Sequence, residues 1–300
     1  MEGGGSRLPA FLRAAPGLRS DAHKLRKLLR GGSLHTVCEE AMCPNIGECF
    51  CLGTATFLIL GGICTRGCAF CAVSRGVPKP PDPGEPERLA AAAKTMNLRH
   101  VVVTSVTRDD LADGGASAFF ATVRALKKGL FGVTVEVLVP DFGGNPDSME
   151  IVLASGPDVF NHNIETVKSL YPKVRAGADY ERSLGLLKNA SRWSKAGFEK
   201  PVIKSGVMVG LGETREELKR LFSDIAKSGV SSLTIGQYLR PGKTNIEVAR
   251  YYEPGEYEEL ARDARTSGIA SVFAGPLVRS SYRAGEVFSE AGRGCDGAGR

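Results

Sequence analysis

Seven of the eight cysteines in this 300-residue chain fall between Cys38 and Cys71, and six of them form two triplets of unlike spacing. Cys38, Cys43 and Cys49 make a Cx4Cx5C pattern, and Cys64, Cys68 and Cys71 make Cx3Cx2C. A closed tetrahedral zinc site takes four ligands, usually from two CxxC-like knuckles, and here only Cys68 and Cys71 form a CxxC. A cubane iron–sulfur cluster has four irons that each want an outer ligand, so a three-cysteine loop leaves one iron open. Gly61, Gly62 and Gly67 flank the second triplet and suit a loop wrapped round an inorganic body. The competing readings are a zinc knuckle or buried reduced thiols for the second triplet, and a structural metal for the first. Cys51 reads as a spare thiol, and Cys295 stands alone with no partner spacing.

From Thr54 onward strand and helix signals alternate. The apolar, β-branched run Thr54–Leu60 predicts a first strand ending at Gly61, which sets the second triplet at its C-terminal end. After an extended Pro-rich crossing over Val77–Pro86, helices are expected at Glu87–Met96, Ala116–Lys128, Asp147–Ser155, Tyr180–Ala196, Thr214–Ser228 and Pro254–Ser267. Strands are expected at His100–Ser105, Val133–Val139, Asp158–Asn161, Val202–Val209 and Ser231–Gly236, with a further short one at Ala270–Ala274. Such alternation implies a parallel sheet with right-handed crossovers. Six β/α units are too few for a closed eight-fold barrel, so the expected fold class is α/β, a partial (β/α)6 barrel of TIM type. Barrels of this kind carry their chemistry at the C-terminal strand ends. The polar, Gly-rich segments fall there: Cys64–Cys71, Thr104–Gly115, Asn161–Glu165, Gly210–Glu213 and Gln237–Gly242.

The expected organisation is an N-terminal extension over 1–53, the barrel over 54–250, and a C-terminal extension over 251–300. In the first, Leu25, Leu28 and Leu29 share one helical face with Asp21 as N-cap, which favours a docked amphipathic helix over a cleaved leader. The Gly-rich tail Ser289–Arg300 reads as disordered. No apolar run approaches the ~20 residues needed to span a bilayer. Clustered, unevenly spaced cysteines point to a reducing compartment, and the bacterial cytoplasm is the expected location, ahead of an organelle matrix. The net charge of +6 is spread along the chain rather than striped with aromatics. That argues against nucleic acid and for an anionic cofactor or an acidic protein partner.

The Cx3Cx2C loop in this α/β setting resembles the cluster loop of radical S-adenosylmethionine enzymes. From about Leu34 to Tyr282 the chain is further similar to the lipoyl synthase family. The resemblance rests on Thr36–Cys49, Cys64–Cys68, Thr104–Asp110, Val159–Glu165, Lys204–Thr214, Gly236–Tyr238 and Arg279-Ser280-Ser281-Tyr282. It implies two [4Fe-4S] clusters. One, on Cys64, Cys68 and Cys71, would bind S-adenosylmethionine through its open iron. The other, on Cys38, Cys43 and Cys49 with Ser281 as fourth ligand, would be the sulfur source. The implied reaction inserts two sulfur atoms, at C6 and C8, into an octanoyl group amide-linked to a lysine of a carrier protein. The carriers expected are the lipoyl domains of 2-oxoacid dehydrogenases and the glycine cleavage H protein, served by an electron donor and a cluster carrier. Family architecture also suggests Asn163, Glu165, Gly210 and Gly212 around S-adenosylmethionine, and Arg279 on a carboxylate or beside the auxiliary cluster. Thr107 stands where the family usually has an acidic residue, which would alter a local ion pair.

Overall fold

The computed structural model describes residues 8–12, 32, 34–37, 45, 48–49, 52–286 and 288. Cys38, Cys43, Cys51, Cys295, the Leu25–Leu29 helical face and the tail all lie outside the described residues. Among the described residues, six longer helices separate seven parallel strands. The strands are β1 (Thr54–Ile59), β2 (His100–Ser105), β3 (Thr134–Leu138), β4 (Val159–Asn161), β5 (Val202–Val209), β6 (Ser232–Gln237) and β7 (Ser271–Gly275). The longer helices between them are α1 (Glu85–Thr95), α2 (Ala116–Gly129), α3 (Pro146–Leu153), α4 (Tyr180–Arg192), α5 (Arg215–Lys227) and α6 (Pro254–Thr266), and a four-residue helical turn, Tyr171–Val174, precedes α4. Sheet order follows chain order from β1 to β7, and a two-residue strand, His35–Thr36, adds antiparallel to the outer edge of β1. Among the described residues β1 and β7 are not paired, so the sheet is a partial (β/α)6 barrel with a seventh strand.

Alternation along the strands decides what faces what. Val101, Val103, Val135, Val137, Phe160, Leu233 and Ile235 pack with Leu89, Phe119, Val123, Leu187, Leu221 and Phe222 from the helices in one core. Burying each such side chain is worth roughly 1.5–3 kcal/mol. The alternate positions, His100, Glu136, Lys204, Ser232 and Thr234, are buried but polar.

Helix ends follow local chemistry. Thr214 and Glu217 form a reciprocal capping box that starts α5. Pro86, in the first turn of α1, needs no partner for its missing N–H, and the helix begins at Glu85, two residues before the expected start. Helix α4 stops at Arg192, short of the expected Ala196. Trp193 takes an extended conformation there and stacks edge-on against Phe198, which removes it from the helix.

Candidate functional site

The second cysteine triplet leaves β1 through a sharp reversal. Leu60 and Gly61 both take positive φ, and the Leu60 N–H donates to Glu85 Oε2 at 2.9 Å. The loop then forms a two-residue parallel ladder, Ile63–Cys64 with Ser74–Arg75. It is braced from three later parts of the chain. The Thr65 N–H and hydroxyl both donate to the Thr107 carbonyl, the Ala69 N–H to the Val174 carbonyl, and Asn245 Nδ2 to the carbonyls of Ala69 and Cys71. Arg66 pairs with both Asp109 and Asp141, and Arg182 with the other oxygen of Asp141, whose carboxyl is held at about 2 despite its burial.

Cys64, Cys68 and Cys71 are free thiols, half-buried on this loop. Cys64 Sγ accepts N–H bonds from Arg66 and Thr107, at 3.4 and 3.3 Å, and Cys71 Sγ accepts one from Val73 at 3.5 Å. Burial pushes Cys68 up to about 11, against the pull of Arg175, and pushes Cys71 up as well. As thiols Cys68 and Cys71 hold their protons at neutral pH, and binding iron would release them. Among the described residues no three His, Cys, Asp or Glu side chains converge as ligands of a single ion. Three sulfurs on one braced loop, two of them backed by N–H donors, fit a cubane cluster. Thr107, which stands where the family usually has an acidic residue, meets the loop through its backbone alone, its N–H donating to Cys64 Sγ and its carbonyl accepting from Thr65, so these contacts do not depend on its side chain.

Asn163 and Glu165 follow β4. Glu165 holds φ 70, a left-handed conformation that a non-glycine residue adopts only when its surroundings impose it. Its backbone N–H donates to Gly206 and its carbonyl accepts from Met208, which clamps it to β5. Its carboxyl is pushed up by burial and accepts from Asn163 Nδ2 at 3.1 Å. A Cβ at Gly206 would lie 2.6 Å from Asn163 Oδ1, so glycine there is what lets Asn163 occupy its position. Arg175, which the sequence did not single out, is a half-buried cation within electrostatic reach of both Glu165 and Cys68. Its guanidinium donates to the Asn163 carbonyl and the Tyr171 hydroxyl.

The Gly210–Glu213 turn closes on itself. Glu213 accepts from the N–H groups of Gly210 and Leu211, and from the Tyr252 hydroxyl. Gly210 and Gly212 have φ 97 and 110, and a Cβ on Gly210 would strike Gln237 and the Arg250 carbonyl. A Cβ on Gly212 would approach nothing nearer than Ala249, at 3.8 Å.

The C-terminal segment after β7 meets the first cysteine region. Asn45 Nδ2 donates to the Leu277 carbonyl at 2.7 Å, and Glu48 accepts from the Tyr282 hydroxyl and the Arg283 guanidinium. Asn45 and Glu48 lie between Cys43 and Cys49, and Cys49 is buried. Ser281 is half-buried in a turn whose neighbours make these contacts, and Arg279 donates to the carbonyls of Gln237 and Val278. Gly236 makes this docking possible, because a Cβ there would lie 2.0 Å from the Val278 carbonyl oxygen. Nothing in the local pattern of Asn45, Glu48 or Arg283 announces these contacts, which span more than 200 positions.

The family model described as "Radical SAM superfamily" matches residues 58–225. The lipoyl synthase of Symbiobacterium thermophilum is 52% identical, over 98% of this chain and 91% of that protein. That of Rubrobacter xylanophilus is 51% identical, over 97% of this chain and 89% of that protein. Among solved structures, HydG, a maturase of the [FeFe]-hydrogenase, aligns with a TM-score of 0.58 at 12% identity, covering 90% of this chain and 70% of its own. Streptococcus suis SuiB bound to its precursor peptide aligns with a TM-score of 0.57 at 14% identity, covering 85% of this chain and 53% of its own. At these identities the two structures speak to the fold alone.

Proposed function

Because this chain belongs to the lipoyl synthase family of the radical SAM superfamily, we infer that it inserts two sulfur atoms, at C6 and C8, into a protein-bound N6-octanoyl-lysine to give lipoyl-lysine. It is a sulfurtransferase that works with S-adenosylmethionine and two [4Fe-4S] clusters, and its substrate is an octanoylated protein. When bound, these cofactors supply the radical and the sulfur, since an alkyl C–H bond is not acidic and no side chain removes its hydrogen as acid or base.

In this reading Cys64, Cys68 and Cys71 hold the cluster that takes S-adenosylmethionine. The carrying observation is three free thiols on one loop at the end of β1, with N–H donors on two of the sulfurs and Glu165 and Arg175 within electrostatic reach. Those N–H donors stabilise negative charge on the sulfurs and so raise the potential of whatever they ligate. Asn163 and Glu165 offer amide and carboxylate oxygens to ribose hydroxyls, and the Gly210–Gly212 turn lies along the adenine side. Cys38, Cys43, Cys49 and Ser281 hold the auxiliary cluster, with Arg279 beside them. The contacts of Asn45 and Glu48 with residues 277–283 support it, since they draw the first triplet's segment and the serine segment together. A serine oxygen is harder than thiolate and suits cluster iron less well, so it is the ligand that leaves most readily when sulfur is given up. The 1–53 extension then supplies one cluster, the 54–250 barrel the other, and the 251–300 extension the closing ligand.

The carriers that fit are the lipoyl domains of 2-oxoacid dehydrogenases and the glycine cleavage H protein, which an overall charge of +6 would attract where they are acidic. A reductant and an iron–sulfur cluster carrier complete the cycle in a reducing bacterial cytoplasm, with no nucleic acid or membrane involved. Among the described residues no helix is long and apolar enough to cross a membrane.

Iron and acid-labile sulfide on anaerobically reconstituted protein test the assignment, for the native chain and for a variant with Cys38, Cys43 and Cys49 all changed to alanine. About eight irons falling to about four is expected from two four-iron clusters. A native value near four, unchanged in the variant, would reduce the first triplet to a structural role.

A further inference from the structure

The inward face of the barrel carries an ion pair that the cluster loop does not touch. Glu136 and Lys204 are both fully buried, and Lys204 Nζ lies 3.0 Å from each carboxylate oxygen. Asn161 Nδ2 donates to Glu136 Oε1 at 2.7 Å and also to Ser280 Oγ at 3.0 Å. The Ser280 hydroxyl in turn donates to Asn163 Oδ1 at 2.9 Å, and Asn163 Nδ2 to Glu165 Oε1 at 3.1 Å. The chain has one direction. A carboxylate can only accept, so the charged Glu136 fixes the Asn161 amide. That amide makes Ser280 an acceptor, which frees its single proton for Asn163 and turns the Asn163 amino group toward Glu165.

Ser280 is also the residue before Ser281, in the segment whose Leu277, Tyr282 and Arg283 hold Asn45 and Glu48. We propose that Ser280 is a positioning residue that couples the S-adenosylmethionine pocket to the auxiliary-cluster segment: its hydroxyl orients Asn163 and Glu165 on one side while seating Ser281 on the other. The proposal rests on the reading of Asn163 and Glu165 as ribose contacts. Because coupling between two sites is reciprocal, S-adenosylmethionine that fixes Asn163 also fixes residues 277–283.

Two measurements on the reconstituted protein test this. In the native protein, hydrogen exchange at the amides of residues 277–283 should slow when S-adenosylmethionine is added; unchanged exchange overturns the coupling. In Ser280→Ala, S-adenosylmethionine should bind about five-fold more weakly, the loss corresponding to one net hydrogen bond of about 1 kcal/mol, with iron content at the native value. Ser280→Thr, which keeps the hydroxyl, should restore affinity, and Ser280→Ala should add nothing in an Asn163→Ala background. Native affinity in Ser280→Ala, equal loss in Ser280→Thr, or additive losses in the double variant would each overturn the proposal. Failure of the underlying reading looks different: Asn163→Ala alone would then bind S-adenosylmethionine as the native protein does.

Discussion

Arg283 reaches across 235 positions to Glu48 and donates to the same carboxylate oxygen through both Nε and Nη2, with the Tyr282 hydroxyl on that carboxylate as well. The pair is exposed, so its share of global stability is small, within about 1 kcal/mol. Its leverage is local, because it joins the stretch between Cys43 and Cys49 to the residues that follow Ser281. Arg283→Met should therefore shift Tm by only about 2–4 °C or less, while chelator removes iron from the auxiliary cluster faster than from the native protein. Equal release rates would mean that the contact does not help retain the cluster.

Thr107 meets the cysteine loop through its backbone, so its side chain is replaceable and its N–H is not. Thr107→Glu should retain S-adenosylmethionine cleavage within about two-fold, a change of roughly 0.4 kcal/mol at 1.36 kcal/mol per ten-fold in rate. Thr107→Pro removes the donor to Cys64 Sγ, and the reduction potential of the loop's cluster should fall. Redox titration followed by electron paramagnetic resonance reads the shift, and a potential that rises or stays put would contradict the assignment.

The Lys204–Glu136 pair gives a stability prediction with a definite pH window. Burial pushes the Glu136 carboxyl up, and Lys204, with His100 and Asn161, more than reverses this and holds it at about 2. A carboxyl depressed in the folded state contributes stability that is fully present above its unfolded value and is lost as pH falls through about 2. Lys204→Met strands the carboxylate and should cost about 3–5 kcal/mol at pH 7. The cost should shrink toward pH 4, where the stranded carboxyl takes up a proton. Urea unfolding at the two pH values checks this; a penalty independent of pH would point to lost packing alone.

His162 works at higher pH. Burial, helped by Arg175, lowers its imidazole to about 4, and Nδ1 meets the Val139 carbonyl at 2.8 Å. The unfolded chain takes up this proton below about 6.5, so stability is lost as pH falls from there toward 4. The slope is at most about 1.4 kcal/mol per pH unit. In His162→Gln that part of the slope should vanish, which denaturant titrations at pH 7, 6 and 5 would register as a native-minus-variant difference that narrows with acid. A constant difference would assign the slope to another group.

How much of this was legible follows from the range over which each feature is encoded. The strands His100–Ser105 and Val202–Val209 are found with the bounds their β-branched runs predict, and the cysteine loop lies where the end of Thr54–Leu60 puts it. These are properties of a few consecutive residues. The end of α4 was missed by four residues because it depends on where Trp193 finds Phe198. The antiparallel His35–Thr36 strand was missed because two residues carry no period. Arg175 and Glu136 gave no signal, and Asn161 and Lys204 stood in recognised segments without a role, since a buried polar group is defined by partners that only the barrel assembles. Ser280 stood inside a recognised segment and was passed over for its neighbour Ser281, because a hydroxyl's role lies in its two partners rather than in its spacing.

The partners of the two cysteine regions also differ in when a growing chain delivers them. The side-chain and backbone groups that brace Cys64–Cys71 come from Thr107, Asp109, Asp141, Val174, Asn245 and Ile246. Those that hold Asn45 and Glu48 come from Leu277, Tyr282 and Arg283. In chain order, therefore, every group that supports the Cys64–Cys71 loop leaves the ribosome before the residues that tie down the first triplet. Iron delivered during synthesis meets one prepared loop, and the second acquires its support only as the last part of the polypeptide emerges.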